Sequence, residues 1–149
     1  MNRRSLKIKK AICCLFVCVL LTPVCTFAAE KAENLLVIVT TDDSVTQFMS
    51  LTLASMAKKK GTNVDVLLCG VAGSLGMKGS QEVLLKPKNK SPQMLLKGLI
   101  QSGINVEICP PYLPNAGKTA SDLTEGVVVA TPPAIADKLI DMDTKILSY

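Results

Sequence analysis

No histidine occurs anywhere in this 149-residue sequence. That absence excludes Ser-His-Asp and Cys-His nucleophilic catalysis, and it leaves any zinc or copper site short of its commonest nitrogen ligand. Aromatic residues are scarce as well, at 3%. Beyond Ala28 only Phe48, Tyr112 and Tyr149 remain, so a core must be built from Val, Leu, Ile, Met and Ala. Cysteine is thinner than its count of six suggests. Cys13, Cys14, Cys18 and Cys25 all precede Ala28, leaving Cys69 and Cys109, and two cysteines are no disulfide framework of the small secreted kind.

The segment 1–28 reads as a secretory signal peptide. A basic start (Arg3, Arg4, Lys7, Lys9, Lys10) precedes an apolar run over 11–21, then Pro23 and a small-residue cleavage site, Thr26-Phe27-Ala28. The run is shorter than the roughly 20 apolar residues of a comfortable transmembrane helix. An uncleaved anchor, or a lipoprotein signal acylated at Cys25, fits less well than cleavage, which predicts a periplasmic or secreted protein with no stable membrane insertion. Removing this segment takes five of 17 Lys+Arg and none of the 12 Asp+Glu, so the precursor's net charge of +5 becomes nearly zero. A neutral chain without a basic patch argues against a nucleic-acid partner. The lysines Lys58-Lys59-Lys60 fit the C-terminal end of a helix, where cations complement the dipole.

What remains, residues 29–149, suits one domain. Residues 35–40 form a continuous apolar run of strand length, as a strand covered on both faces requires. Ser44 with Gln47 makes a capping-box pattern, and apolar residues then recur at helical spacing to Gly61. A second strand spans 64–69, completing a βαβ unit. Four glycines follow at every third position, Gly70, Gly73, Gly76 and Gly79. They suit an anion-binding loop or a mobile connection whose backbone packs closely on a neighbour. No P-loop register follows them, and they stand after the second strand instead of the first, so close packing is the better reading. Residues 80–90 read as a surface excursion broken by Pro87. Ser91-Pro92 restarts a helix as N-cap and N1, with Met94, Leu95, Leu96, Leu99 and Ile100 on its buried side.

The strand over 104–109 is the centre of the functional reading. Ile104, Val106 and Ile108 share one face, and Cys109 is followed by Pro110 and Pro111, which cannot continue a ladder. Cys109 therefore falls at the carboxyl end of a strand, where open α/β sheets place their chemistry. A short helical turn over 118–123, a strand over 126–130, a helix from Thr131-Pro132-Pro133 to about 142 and a strand over 145–149 complete the chain. Ala134, Ile135, Leu139 and Ile140 are that helix's candidate buried positions. The order predicts a three-layer α/β domain around a mostly parallel five-stranded sheet, flavodoxin-like. In a flavodoxin-like order the first strand separates the two cysteine-bearing strands by two spacings, about 10 Å, too far for a disulfide. On that basis Cys69 is expected to be structural, with a redox role as the weaker alternative. Asp42 and Asp43 suggest a Mg²⁺ site or, more simply, acids at a helix N-terminus. Tyr112 suits a pocket wall or a subunit contact.

Taken in order, several stretches resemble the DsrE/DsrF-like family of small sulfur-relay domains. They are Val-Ile-Val-Thr-Thr-Asp-Asp at the first strand, Val-Asp-Val-Leu-Leu-Cys-Gly at the second, and Met-Leu-Leu-Lys-Gly-Leu-Ile-Gln-Ser-Gly in the middle helix. A Met-Lys-Gly after the second strand, Val-Glu-Ile-Cys-Pro with Gly117 eight residues after the cysteine, the Gly-Val-Val-Val-Ala-Thr-Pro tail and the closing Lys-Ile-Leu-Ser-Tyr complete the set. The resemblance implies a DsrE-like fold, a trimeric or hexameric homo-oligomer, a sulfur donor or acceptor partner, and a cysteine that carries sulfane sulfur as a persulfide, here Cys109. Tyr112 stands where a Cys-x-x-Cys would place a second thiol, so a one-thiol carrier is expected, with no metal and no cofactor. Thr41, Asp42, Gly70, Lys78, Tyr112 and Lys118 are the accompanying substrate-binding candidates, the two lysines as cations that would favour a thiolate. The competing class is a non-catalytic oligomeric binding or assembly module of the cell envelope, in which Cys109 only packs.

Overall fold

Five short apolar segments pair side by side in the computed structural model, which describes residues 32–149; the expected signal peptide lies outside the described residues. They are β1 (Asn34–Val39), β2 (Asn63–Leu68), β3 (Asn105–Ile108), β4 (Val127–Val129) and β5 (Thr144–Ser148). All four pairings are parallel, in the order β4-β3-β2-β1-β5. The α/β class and the five strands are as the sequence predicts. The position of β1 is not: it lies between β2 and β5, and β2 is hydrogen-bonded directly to β3.

The chain steps one strand at a time from β1 to β4, then returns across the whole sheet to β5. Because right-handed crossovers in one direction lie on one face, the connections split unequally between the two faces. Helices α1 (Ser44–Lys59) and α2 (Pro92–Gln101) share the first face, where Leu51, Ala54, Leu96 and Leu99 pack with Val37, Val39, Val66, Leu68, Val106 and Ile108 in the main core. The second face carries a smaller cluster, Leu36, Leu67 and Ala130, joined by Ile38, Cys69, Cys109 and Ile135. After the short α3 (Tyr112–Asn115), the cover of that face is the nine-residue α4 (Pro132–Ile140), which buries none of its residues. The buried positions expected of Leu139 and Ile140 are corrected accordingly: they are 44% and 79% exposed, because a short helix returning over the sheet makes contact along a narrow line.

Local signals act mostly as their chemistry dictates. Ser91 caps α2, its Oγ accepting from the Met94 amide at 3.1 Å with Pro92 at the first position. The cap of α1 differs from the expected Ser44–Gln47 box. Asp43 takes the N-cap, accepting from the Thr46 amide at 2.8 Å and the Thr46 hydroxyl at 2.6 Å, while Gln47 reaches back to the Thr41 carbonyl at 2.8 Å. The carboxylate is the better acceptor beside the helix's positive end. The glycine-rich stretch is ordered as a 3₁₀ segment, Gly70–Gly76. Residues 80–90 are largely exposed, tied by a bridge between Leu85 and Lys90. Among the described residues no helix is long and apolar enough to cross a membrane.

Candidate functional site

Parallel pairing of β2 with β3 runs in register through Leu68 and Ile108, so the next residues, Cys69 and Cys109, stand side by side. Their Cα atoms are 5.1 Å apart and their sulfurs are bonded to each other. This overturns one expectation: a separation too wide for a disulfide assumed that β1 lay between the two strands. The one-thiol expectation rested on Tyr112 standing where a Cys-x-x-Cys would place a second cysteine, and the partner sulfur comes from the neighbouring strand instead. Both cysteines point to the second face of the sheet, opposite Ile104, Val106 and Ile108, because side chains alternate along a strand. The amide of Cys109 donates to the Leu68 carbonyl at 2.9 Å and that of Cys69 to the Val39 carbonyl at 2.9 Å, so the ladder holds both backbones at the sheet's carboxyl edge.

After Cys109 the two prolines end the strand, as expected, but the chain turns at once into the short helix α3. The Tyr112 amide donates to the Cys109 carbonyl at 3.0 Å, closing that turn. The Tyr112 ring lies against Gly73 so closely that a Cβ there would overlap it, which is the close packing anticipated for the glycine stretch. Gly70 needs its missing side chain for another reason: its φ of +55° lies in the left-handed region. Between these segments opens a cleft of about 560 Å³ lined by Gly70, Val71, Cys109, Pro111, Tyr112, Asn115 and Ala116. Cys69 is not among the residues that line it. No charged side chain lines it among the described residues.

The structure therefore unites three of the predicted site residues, Gly70, Cys109 and Tyr112, and separates the other four. Thr41 is occupied by the α1 cap, its Oγ1 accepting from the Asp43 amide at 3.1 Å. Asp42 lines a different cavity with Ser44, Gln47, Ser74 and Gln93. Lys78 donates to the Ser121 carbonyl at 2.7 Å. Lys118 lies near Asp122, whose carboxyl is held below its usual range by hydrogen bonds from the Thr119 amide and hydroxyl, with smaller help from the charges of Lys118 and Lys78. These two lysines serve the turn at Ala120–Asp122, and neither lines the cleft beside Cys109. Among the described residues there is no metal-binding group of three or more acidic or cysteine side chains.

A feature the sequence reading missed lies further along the same face. Glu107, 8% exposed, points from β3 under α4, where Lys138 Nζ lies 2.7 Å from it and 3.3 Å from Asp65 of β2. Burial alone would lower the lysine's pKa, but the hydrogen bond to Glu107 and the two carboxylate charges outweigh it and the pKa is raised. A signal was present: Asp65 and Glu107 interrupt otherwise apolar strands on the same face, and Lys138 is the cation in the last turn of the helix that must cross them.

Fold and site together define an α/β domain whose all-parallel sheet carries a cysteine pair at its carboxyl edge, one member of which lines a cleft without charged side chains among the described residues. Solved structures share this fold. The ychN protein from Escherichia coli superposes with a TM-score of 0.64 at 20% identity, over 80% of this chain and 100% of that one. BT1422 from Bacteroides thetaiotaomicron, described as a conserved protein of unknown function, gives 0.61 at 26% identity over 78% and 95%. MTH1491 from Methanobacterium thermoautotrophicum, also of unknown function, gives 0.60 at 16% identity over 78% and 99%. No family model matches the sequence, and no match is found among curated proteins.

Proposed function

We propose that this chain is an exported DsrE/DsrF-like sulfur carrier in which Cys109 loads sulfane sulfur after the Cys69–Cys109 disulfide is reduced. The observation that carries this reading is the placement of Cys109. It sits at the carboxyl edge of a parallel sheet, in the wall of a cleft of small-ligand size, with a second thiol within bonding reach. Reduction of the disulfide by two thiols yields both cysteines and an external disulfide. The Cys109 thiolate then attacks the outer sulfur of a hydropersulfide, R–S–SH, forming Cys109–S–SH and releasing R–S⁻. A disulfide between the two cysteines supports export, since such bonds persist in oxidising compartments.

The test is intact-mass spectrometry of the reduced protein before and after exposure to a sulfane-sulfur donor. A gain of about 32 Da is expected, abolished by Cys109→Ser and retained in Cys69→Ser. The disulfide itself favours a second reading, an envelope binding module stapled at the mouth of its cleft. No mass gain in any variant, with both reduced thiols inert to alkylation in the native state, selects that reading.

A further inference from the structure

We propose that the cleft beside Cys109 is a thiol–disulfide exchange site for small uncharged thiols, in which the incoming sulfur bonds to Cys109 and Cys69 is the leaving group. The proposal needs only the disulfide and the cleft, and holds whether or not sulfane sulfur is carried.

Thiol–disulfide exchange is directional. A thiolate attacks one sulfur and expels the other, and where the two sulfurs differ in access the accessible one is attacked. Both cysteines are half-buried, and what separates them is the cleft: Cys109 is among the residues that line it and Cys69 is not. A thiolate R–S⁻ seated in the cleft bonds to Cys109 Sγ. The Sγ–Sγ bond breaks, and its electron pair leaves on Cys69 as a thiolate, which takes the proton the incoming thiol gave up to solvent. The product is the mixed disulfide R–S–Sγ of Cys109. In reverse, Cys69 attacks Cys109 Sγ and expels R–S⁻. A second R–S⁻ attacking the R sulfur instead completes reduction, leaving R–S–S–R and two cysteine thiols.

The lining defines the substrate. Val71, Pro111, Ala116, Gly70 and the Tyr112 ring offer apolar surface, and the Asn115 side chain is engaged in donating to the Pro111 carbonyl at 2.7 Å. Among the described residues no cation stands in the wall to offset a carboxylate or sulfonate, so an anionic thiol would lose hydration without compensation. A volume of about 560 Å³ suits a small organic molecule.

The experiment exposes the oxidised protein to 2-mercaptoethanol or to 2-mercaptoethanesulfonate, thiols of similar acidity that differ in charge. Reaction is quenched with iodoacetamide at short times, and adducts are mapped on peptides. Rates are divided by those on a small uncharged model disulfide. The expected result is the thiol adduct on Cys109 with carbamidomethyl on Cys69, and a neutral-over-anionic preference exceeding the model disulfide's by about tenfold. Val71, 56% exposed, can be changed without disturbing the core. Val71→Arg is expected to shift the preference severalfold toward the sulfonate. Adducts on Cys69, adducts shared equally, a preference equal to the model disulfide's, or a disulfide unreactive until the protein unfolds would each overturn the proposal.

Discussion

Gly73 and Tyr112 show how a single contact shapes the site. The ring that walls the cleft rests where any side chain at 73 would stand. Gly73→Ala is therefore expected to destabilise the protein by about 1–3 kcal/mol, the range for overpacking a filled site. The cause is testable in a double-mutant cycle. With Tyr112→Ala already made, the alanine at 73 no longer meets the ring and its cost should largely vanish. Denaturant unfolding of the four proteins gives the coupling, and additive effects would show that Gly73 matters for some reason other than the ring. Asp43 illustrates a smaller point at the same scale. Its carboxyl is held below the usual range chiefly by the Thr46 hydroxyl, so its contribution to capping is present above the ordinary carboxylate pKa and is lost as pH falls through its lowered value.

At the scale of elements, α4 is held to the sheet by little apolar contact and by one ion cluster. Lys138 bridges Glu107 and Asp65 on adjacent strands, and Glu107 is buried under the helix. Removing one partner of such a group leaves a buried charge uncompensated. Lys138→Met is thus expected to cost about 3 kcal/mol, and Glu107→Gln in the same chain to restore most of it. Because the lysine pKa is raised, the stabilisation is complete below the ordinary lysine value of 10.5 and is lost as pH rises through the folded value. The wild type should lose stability over that alkaline window and Lys138→Met should not, as thermal unfolding across pH would show. Equal alkaline sensitivity in both would place the titrating group elsewhere.

The disulfide acts on the whole molecule, joining positions 40 residues apart. Closing a loop of that length removes unfolded-state entropy worth about 4 kcal/mol. The reduced protein, and the double Cys69→Ser, Cys109→Ser variant, should unfold at a midpoint lower by more than about 10 °C. A loss under about 1 kcal/mol would mean that the bond contributes little to stability, and would favour the exchange chemistry as its role. Outside the site, Val128, Leu139, Ile140, Met142 and Ile146 are between 44% and 99% exposed. The family resemblance leads to an expected trimer or hexamer. Size-exclusion chromatography with light scattering tests it, and a strict monomer at micromolar concentration would count against it.

Some of this was determined by the sequence alone. Apolar runs of strand length, caps such as Ser91-Pro92, and prolines that end a strand after Cys109 act over a few residues, so their consequences are written locally. The five strands, the α/β class and the strand-end position of Cys109 follow from them. Which strand lies beside which is set by the direction each crossover takes, a choice made by packing across the whole sheet. A flavodoxin-like order and the observed one have the same local signals, yet only in the latter are β2 and β3 neighbours. Tertiary structure therefore decided that Cys69 and Cys109 bond, that Lys138 reaches Glu107, and that Lys78 reaches the Ser121 carbonyl. Each depends on distances between residues remote in the chain, which local propensity does not encode.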